Sequence, residues 1–278
     1  MKNNKNIYAL FGNPVEHSLS PVMHNAALKK MEIDARYIAI QVENAREITR
    51  KIKEMNIRGA SITIPHKTMV MDYLDEVSES SGMIGAVNTL TFTDGKLKGD
   101  NTDWTGFTLA LKETIEIEGK TFAILGAGGA ARAAAFGILQ EGGTPVILNR
   151  TVAKGEKLAK EFGCKFYPIS EVEKINADCL INSTPAGMFP NMEISPVRAE
   201  ALSNFGCVMD MIYNPLETRL LKDAREAGCS VILGLPMFIY QGAEQIRIWT
   251  GLRPPLDLMK QVVLEKLMNE RDKTNKES

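Results

Sequence analysis

Lys67 and Asp103 are the ionisable pair in this sequence with the clearest reason to share one cleft. Polar side chains gather near them: Ser18 and Ser20 in His17-Ser-Leu-Ser-Pro21, Thr63 and His66 in Ser61-Ile-Thr-Ile-Pro-His-Lys67, and Asn88 after Ala86-Val87. A lysine beside a carboxylate can carry a proton to or from an oxygen, help worth roughly 10²–10⁴ in rate. Hydroxyls and an amide can each bind one oxygen of a polyhydroxylated small molecule. Singly, each residue has a plainer reading. Ser20 and Asp103 (or Asp100) can cap helices, Thr63 can fill a strand, and Lys67 can be an exposed helix-start lysine. Together, and placed ahead of a nucleotide motif, they read as a substrate site.

That motif is Gly126-Ala-Gly-Gly-Ala-Ala131. A short apolar run, Thr121 to Leu125, precedes it, and an Ala-rich helical stretch to about Gln140 follows. Strand, G-x-G-x-x-A turn and helix form the setting a dinucleotide fingerprint needs. Gly126 permits the tight turn, Gly128 lets backbone amides approach a pyrophosphate, and Ala131 keeps helix and strand close. Gly129, Ala127 and Ala130 complete the loop. The second strand, Pro145 to Leu148, ends in Asn149-Arg150-Thr151 with Lys154 beyond, where an NAD enzyme usually presents Asp or Glu. A guanidinium can grip a 2′-phosphate that a carboxylate would repel. The expected cofactor is therefore NADP, the plainer alternative being an arginine on a solvated turn.

A chain of 278 residues is long enough for two ordinary domains. Its net charge of −1 predicts no capture of nucleic acid or membrane. No apolar run reaches spanning length, and residues 1–6 lead into a strand rather than a signal-peptide core. Cys164, Cys179, Cys207 and Cys229 are widely spaced, without C-x-x-C, so neither zinc nor a disulfide framework is expected. With three histidines, and no third ligand near His17 and His24, no metal is expected either. The methionines read as core packing. The expectation is a soluble cytoplasmic protein, monomer or homodimer, acting on a small molecule.

Apolar periodicity supplies the elements. Strands at Ile7–Phe11, Arg36–Ile40 and Gly59–Ile64 alternate with helices, one starting at Ser20-Pro21 with Ser20 as N-cap, another over Asn44–Met55, and one through Met69–Leu74. Asn88–Phe92 pairs with Lys96–Lys98 across Asp94-Gly95. From Thr121, six strands separated by helices predict a doubly wound parallel sheet. Asn182–Met188 and Gly234–Met237 should then face the cofactor. The helical tail, Phe238–Trp249 and Leu256–Met268, has no strand left to serve and is expected to return to the first unit. The fold class is α/β with two domains: a substrate domain, residues 1–104 plus 239–278, and a Rossmann NADP-binding domain, residues 105–238.

In combination, Gly12-Asn-Pro14 with Ser18-Leu-Ser-Pro21, Thr63-Ile-Pro-His-Lys67, Ala86-Val-Asn88-Thr, Gly99-Asp-Asn-Thr-Asp103, Gly126-Ala-Gly-Gly-Ala130 and Asn149-Arg-Thr151 strongly resemble the shikimate dehydrogenase family from about Ile7 to Met268. The resemblance implies NADP-linked interconversion of 3-dehydroshikimate and shikimate, a step in aromatic amino-acid biosynthesis. It implies that Ser18 and Ser20 bind the substrate carboxylate and that Thr63, Asn88 and Asp103 hold ring hydroxyls. Lys67 would be the acid/base, coupled to Asp103. Tyr213 and Gln241 would approach substrate, and Gly234 and Met237 the nicotinamide. Three positions depart from the pattern. Ser61 stands where Asn is frequent and is expected to reach a ring hydroxyl only through water; Trp104 stands where Gly is frequent; Pro236 interrupts the Gly-Leu-x-Met run. The rivals are a quinate/shikimate dehydrogenase with relaxed substrate or NAD use, and a non-enzymatic NADP-binding sensor, which would be expected to lose Lys67 or Asp103. Glutamyl-tRNA reductase chemistry needs a cysteine in the first domain, and the first here is Cys164.

Overall fold

The computed structural model describes residues 6–277, with side chains to 269. The chain divides into two units. Unit 1 takes the residues up to Thr102 and those from Gln241 onward, and unit 2 is Asp103–Tyr240.

Unit 1 is built on a mixed sheet of β1 (Asn6–Gly12), β2 (Ala35–Gln41), β3 (Ile57–Ile62), β4 (Glu76–Val77), β5 (Thr89–Thr93) and β6 (Lys96–Asp100), in the order β2-β1-β3-β5-β6-β4. The first three run parallel, linked through α1 (Ser20–Lys30) and α2 (Ala45–Met55). Helix α2 is amphipathic: Ala45, Ile48 and Ile52 are buried, Asn44 accepts from Glu47 N at its start, and Asn56 ends it in the left-handed region. Strand β5 then runs antiparallel to both β3 and β6. The turn joining it to β6 has positive φ at Asp94 (52°) and Gly95 (79°), as a two-residue hairpin with right-twisted strands demands. These directions bring the ends of β1 and β3, the start of β5 and the end of β6 to one edge of the sheet. The sequence motifs of unit 1 lie along that edge.

Local details differ from the sequence expectation. Ser20 is the first helical residue of α1 rather than its N-cap; Leu19 holds that position without a side-chain bond, and Ser18 Oγ accepts from Ser20 N (3.3 Å). Met69–Tyr73 is a short 3₁₀ turn instead of a helix. Strand β4 and α3 (Glu79–Ile84), the latter capped by Ser78, were not expected from the pattern.

Unit 2 has a six-stranded parallel sheet of β7 (Thr121–Leu125), β8 (Thr144–Asn149), β9 (Lys165–Pro168), β10 (Cys179–Asn182), β11 (Cys207–Asp210) and β12 (Ser230–Ile232). The order β12-β11-β10-β7-β8-β9 is that of the Rossmann sheet, with its switch point between β7 and β10. Helices α4 (Asp103–Lys112), α5 (Gly129–Gln140), α6 (Val152–Phe162) and α7 (Arg219–Glu226) accompany it. The links into and out of β10 use 3₁₀ turns, Ile169–Lys174 and Ala199–Asn204, where full helices were expected. Two apolar layers form its core, one including Phe107, Phe122 and Ile147, the other Leu125, Leu180 and Leu220. Trp104 meets Phe136 of α5 edge-on, ring centroids 5.4 Å apart, so the tryptophan that departs from the family pattern joins two helices.

Helix α8 (Gly234–Thr250) starts in unit 2 and ends in unit 1, and α9 (Leu256–Glu277) follows and packs on α1. Pro236 falls in the first turn of α8, where its missing N–H has no intrahelical acceptor to lose. The helix thus begins at Gly234, four residues before the expected Phe238. Among the described residues no helix is long and apolar enough to cross a membrane.

Candidate functional site

The polar edge of unit 1 is shaped by close packing. Thr63 follows β3 directly, its N–H donating to Phe11 O (2.9 Å), and a Cβ on Gly12 would lie 2.2 Å from Thr63 Cγ2. Only glycine at 12 leaves the threonine its place. The 63–67 turn is closed by His66 N donating to Thr63 O, and Val87 N donates to Lys67 O (2.8 Å), joining that turn to the segment before β5. His66 is fully buried, with Nε2 bonded to Val42 O, so it is a structural residue of the turn. Lys67 and Thr63 are half-buried. Ser18 Oγ donates to Ser20 Oγ (3.2 Å), placing those two hydroxyls side by side at the start of α1.

Asn88 is the best-fixed member of the set. Its Oδ1 accepts from Thr102 N (2.7 Å) and Thr89 Oγ1 (2.8 Å), while Nδ2 donates to Thr102 Oγ1 (3.0 Å) and reaches Gln241 Oε1 at 3.4 Å. Asn88 and Gln241 thus face each other within unit 1. Asp103 is buried and opens α4 in unit 2.

Ser61 behaves differently from the expectation. It is 5 % exposed, accepts from Tyr37 OH (2.6 Å) and donates to Gln245 Oε1 (2.7 Å). Its hydroxyl is thus held between two partners inside the fold rather than turned towards a ligand. Gln245 is a residue that sequence reasoning missed; its only signal was a polar side chain one turn after Gln241 on a largely apolar helix.

In unit 2 the glycine loop has the form that the pattern implied. Gly126 has φ +117°, closed to other residues, and a Cβ there would sit 2.6 Å from Ser183 Oγ across the switch point. Gly128 precedes α5 in an extended conformation with no side-chain cap, and a Cβ on it would meet nothing within 4 Å. The first-turn N–H groups of Gly129, Ala130 and Ala131 therefore lie behind an open approach, the arrangement that binds phosphates. Arg132 is tied to Glu161 of α6 (2.6 Å) and braces the two helices. Asn149 Nδ2 donates to Thr151 O (2.8 Å), shaping the turn that carries Arg150. Arg150, Thr151 and Lys154 are exposed, with no acidic residue in the first turn of α5 or α6. The loop, the bare helix start and this cationic turn fit a dinucleotide with a 2′-phosphate.

On the far side of the switch point, Asn182 and Asp210 end neighbouring strands in register. Asp210, fully buried, accepts from Asn182 Nδ2 (3.1 Å), Ile212 N (3.0 Å) and Thr218 Oγ1 (2.7 Å). Burial raises its carboxyl to about 6 against the pull of those three bonds. Asn182 Oδ1 in turn holds Thr184 N and Oγ1, and its Nδ2 also reaches Ala186 O (3.2 Å). One carboxylate thus fixes both the 182–186 and 210–218 segments. Tyr213 stacks on Phe238, 4.0 Å between centroids. A Cβ on Gly234 would come 2.4 Å from Ile212 O, and Met237 is 6 % exposed in the core. Sequence reading missed the Asp210 network, although a polar residue closing each of two apolar strands was its signal. Among the described residues no cluster of His, Cys, Asp and Glu could hold a metal ion.

A Rossmann sheet with an open glycine loop in one unit and a polar strand edge in the other define a two-domain nucleotide-dependent oxidoreductase fold. Family models match in three places: the shikimate dehydrogenase substrate binding domain over residues 10–90, shikimate / quinate 5-dehydrogenase over 108–195, and the shikimate 5′-dehydrogenase C-terminal domain over 234–264. The chain is 44% identical to the shikimate dehydrogenase (NADP(+)) of Methanocaldococcus jannaschii, over 94% of this chain and 97% of that one. Identity to the protein of the same name from Pyrococcus abyssi is 45%, over 94% and 98%. Among solved structures, shikimate 5-dehydrogenase of Thermus thermophilus, crystallised with NADP(H) and shikimate, superposes with a TM-score of 0.86 at 38% identity, covering 94% of this chain and 99% of that one. The chain belongs to the shikimate dehydrogenase family.

Proposed function

We propose that the protein is an NADP-dependent shikimate dehydrogenase, reducing 3-dehydroshikimate to shikimate reversibly in aromatic amino-acid biosynthesis. The observation that carries this reading is the polar edge of unit 1: the strand directions gather Thr63, Lys67 and Asn88 beside Ser18 and Ser20 at the start of α1, and Gln241 of α8 meets the Asn88 side chain there. The paired hydroxyls of Ser18 and Ser20 bind the substrate carboxylate. Thr63, Asn88 and Asp103 hold ring hydroxyls, and Gln241 and Tyr213 approach the substrate. Lys67 moves the proton at the C3 oxygen, with Asp103 as the carboxylate that serves it. NADP, when bound, supplies or accepts the hydride. Gly126, Ala127, Gly128, Gly129 and Ala130 receive its pyrophosphate, Asn149, Arg150, Thr151 and Lys154 its 2′-phosphate, and Gly234 and Met237 border the nicotinamide. We place the reaction in the cytoplasm, in keeping with four free cysteines, three of them buried.

Initial rates with shikimate and with quinate, each with NADP and NAD, test the assignment. The expected order puts shikimate with NADP first. Quinate with NAD turned over equally well would overturn it in favour of a broader dehydrogenase, and turnover of neither would leave a nucleotide-binding protein without this activity.

A further inference from the structure

Beneath the polar edge of unit 1 runs a chain of buried hydrogen bonds that the proposed chemistry does not use. Tyr37 OH donates to Ser61 Oγ, Ser61 donates to Gln245 Oε1, and Gln245 Nε2 donates to Asn88 O (3.1 Å) and Thr89 Oγ1 (3.1 Å). Thr89 Oγ1 passes the chain to Asn88 Oδ1. Tyr37, Ser61, Thr89 and Gln245 are all 5 % exposed or less. The far end is anchored too. Asn25 brackets the Tyr37 backbone with two 2.8 Å bonds, and the His24 ring stacks on the tyrosine at 4.1 Å.

Helix α8 registers this chain against β5. Gln241 meets the Asn88 side chain, Gln245 its carbonyl and Thr89, and Trp249 donates from Nε1 to Leu90 O (3.0 Å). The spacing i, i+4, i+8 puts all three on one helix face. Gln245 therefore fixes both members of the Asn88–Gln241 pair proposed to meet the substrate, one by direct bonds and the other through the helix.

We propose that Ser61 and Gln245 are a matched pair of positioning residues that set the Asn88–Gln241 spacing for the substrate's ring hydroxyls. The short serine leaves the space into which the glutamine amide reaches. An asparagine at 61 would carry its amide into positions taken by Gln245 Oε1 and Tyr37 OH, each within 2.7 Å of Ser61 Oγ. It would displace the glutamine, so residues 61 and 245 exchange only together. This rests on the reading that Asn88 and Gln241 hold substrate.

The test is a set of variants assayed for kcat and KM with shikimate and NADP. Gln245→Met keeps the length of the side chain and removes its bonds. It is expected to raise the shikimate KM about tenfold, the equivalent of one net hydrogen bond, while leaving the NADP KM unchanged. Ser61→Asn and Gln245→Ala should each do the same, and the two combined should be less impaired than either of them alone. Tyr37→Phe removes only the far hydroxyl and should give a smaller loss in the same parameter; it carries the test if Gln245→Met fails to fold. Lower urea midpoints with an unchanged shikimate KM, or additive effects in the double variant, would overturn the pairing. Absence of shikimate turnover in the unaltered protein would instead overturn the proposed function.

Discussion

Asp210→Asn isolates the one buried carboxylate that holds two segments of unit 2. Desolvation raises Asp210 from an ordinary 3.8 to about 6. That difference corresponds to about 3 kcal/mol between the two protonation states. The folded protein holds this proton more tightly than the unfolded chain, so the contribution to stability is complete below about pH 4 and is lost as pH rises through about 6. The Asn variant cannot titrate. It also changes the bonds to Thr218 and Asn182, but that change is the same at every pH. The stability difference between the two proteins should therefore shift in favour of the variant by about 3 kcal/mol between about pH 4 and about pH 8, other titrating groups cancelling. Urea unfolding measures this in a Trp249→Phe background, where Trp104, in the same unit as Asp210, supplies the fluorescence. A difference that stays flat with pH, or tilts towards the wild type at high pH, refutes the reasoning.

Replacing Lys67 by Ala should lower kcat by roughly 10²–10⁴ while shikimate binding changes far less; a surviving kcat with a raised KM would remove the acid/base role. Arg150→Ala should weaken NADP binding by about tenfold to a hundredfold and NAD binding hardly at all, as loss of charge-assisted bonds to a 2′-phosphate requires; equal losses by calorimetry would contradict it. Gly59→Ala should destabilise by about 1–3 kcal/mol, because a Cβ would lie 2.4 Å from Trp249 Nε1 and must push the indole off Leu90 O; an unchanged melting temperature would show that the ring has room to move. His24, held down to about 4 chiefly by burial, works against Asp210: it contributes stability above about pH 6.5 that is lost as pH falls through about 4, and His24→Phe should flatten the acid limb of the unfolding profile.

What the sequence made legible was mostly local. The glycine loop between β7 and α5 is a property of a few consecutive residues, and so is the Asp94-Gly95 turn, whose positive φ values only such residues accept readily. The shared direction of the unit 2 strands followed because strands that alternate with helices pair parallel through crossovers. Helix α3 was hidden because Glu79-Ser-Ser-Gly-Met-Ile84 has low helical propensity and stands by virtue of its Ser78 cap and the burial of Ile84. The start of α8 was set too late, at Phe238, because glycine and proline usually punctuate, whereas a first helical turn tolerates both. Ser61 was misjudged for a different reason. Its partner Gln245 lies 184 residues away, and no window on the sequence contains that hydrogen bond. The same holds for Asp210, whose environment is made by Asn182 and Thr218 from other segments.

Unit 1 begins with the first described strand yet takes Gln245 and Trp249 from α8 and its outer layer from α9, whereas unit 2 is one uninterrupted stretch. On a ribosome the chain therefore finishes its units in reverse order of their appearance. Strands β1 to β6 emerge first but must wait, with the surface around Gly59 and Leu90 uncovered, while all of unit 2 is made and can fold. Loss of α8 and α9 would accordingly fall on strands made before unit 2, and the polar edge of unit 1 would take its final shape only after unit 2 has been made.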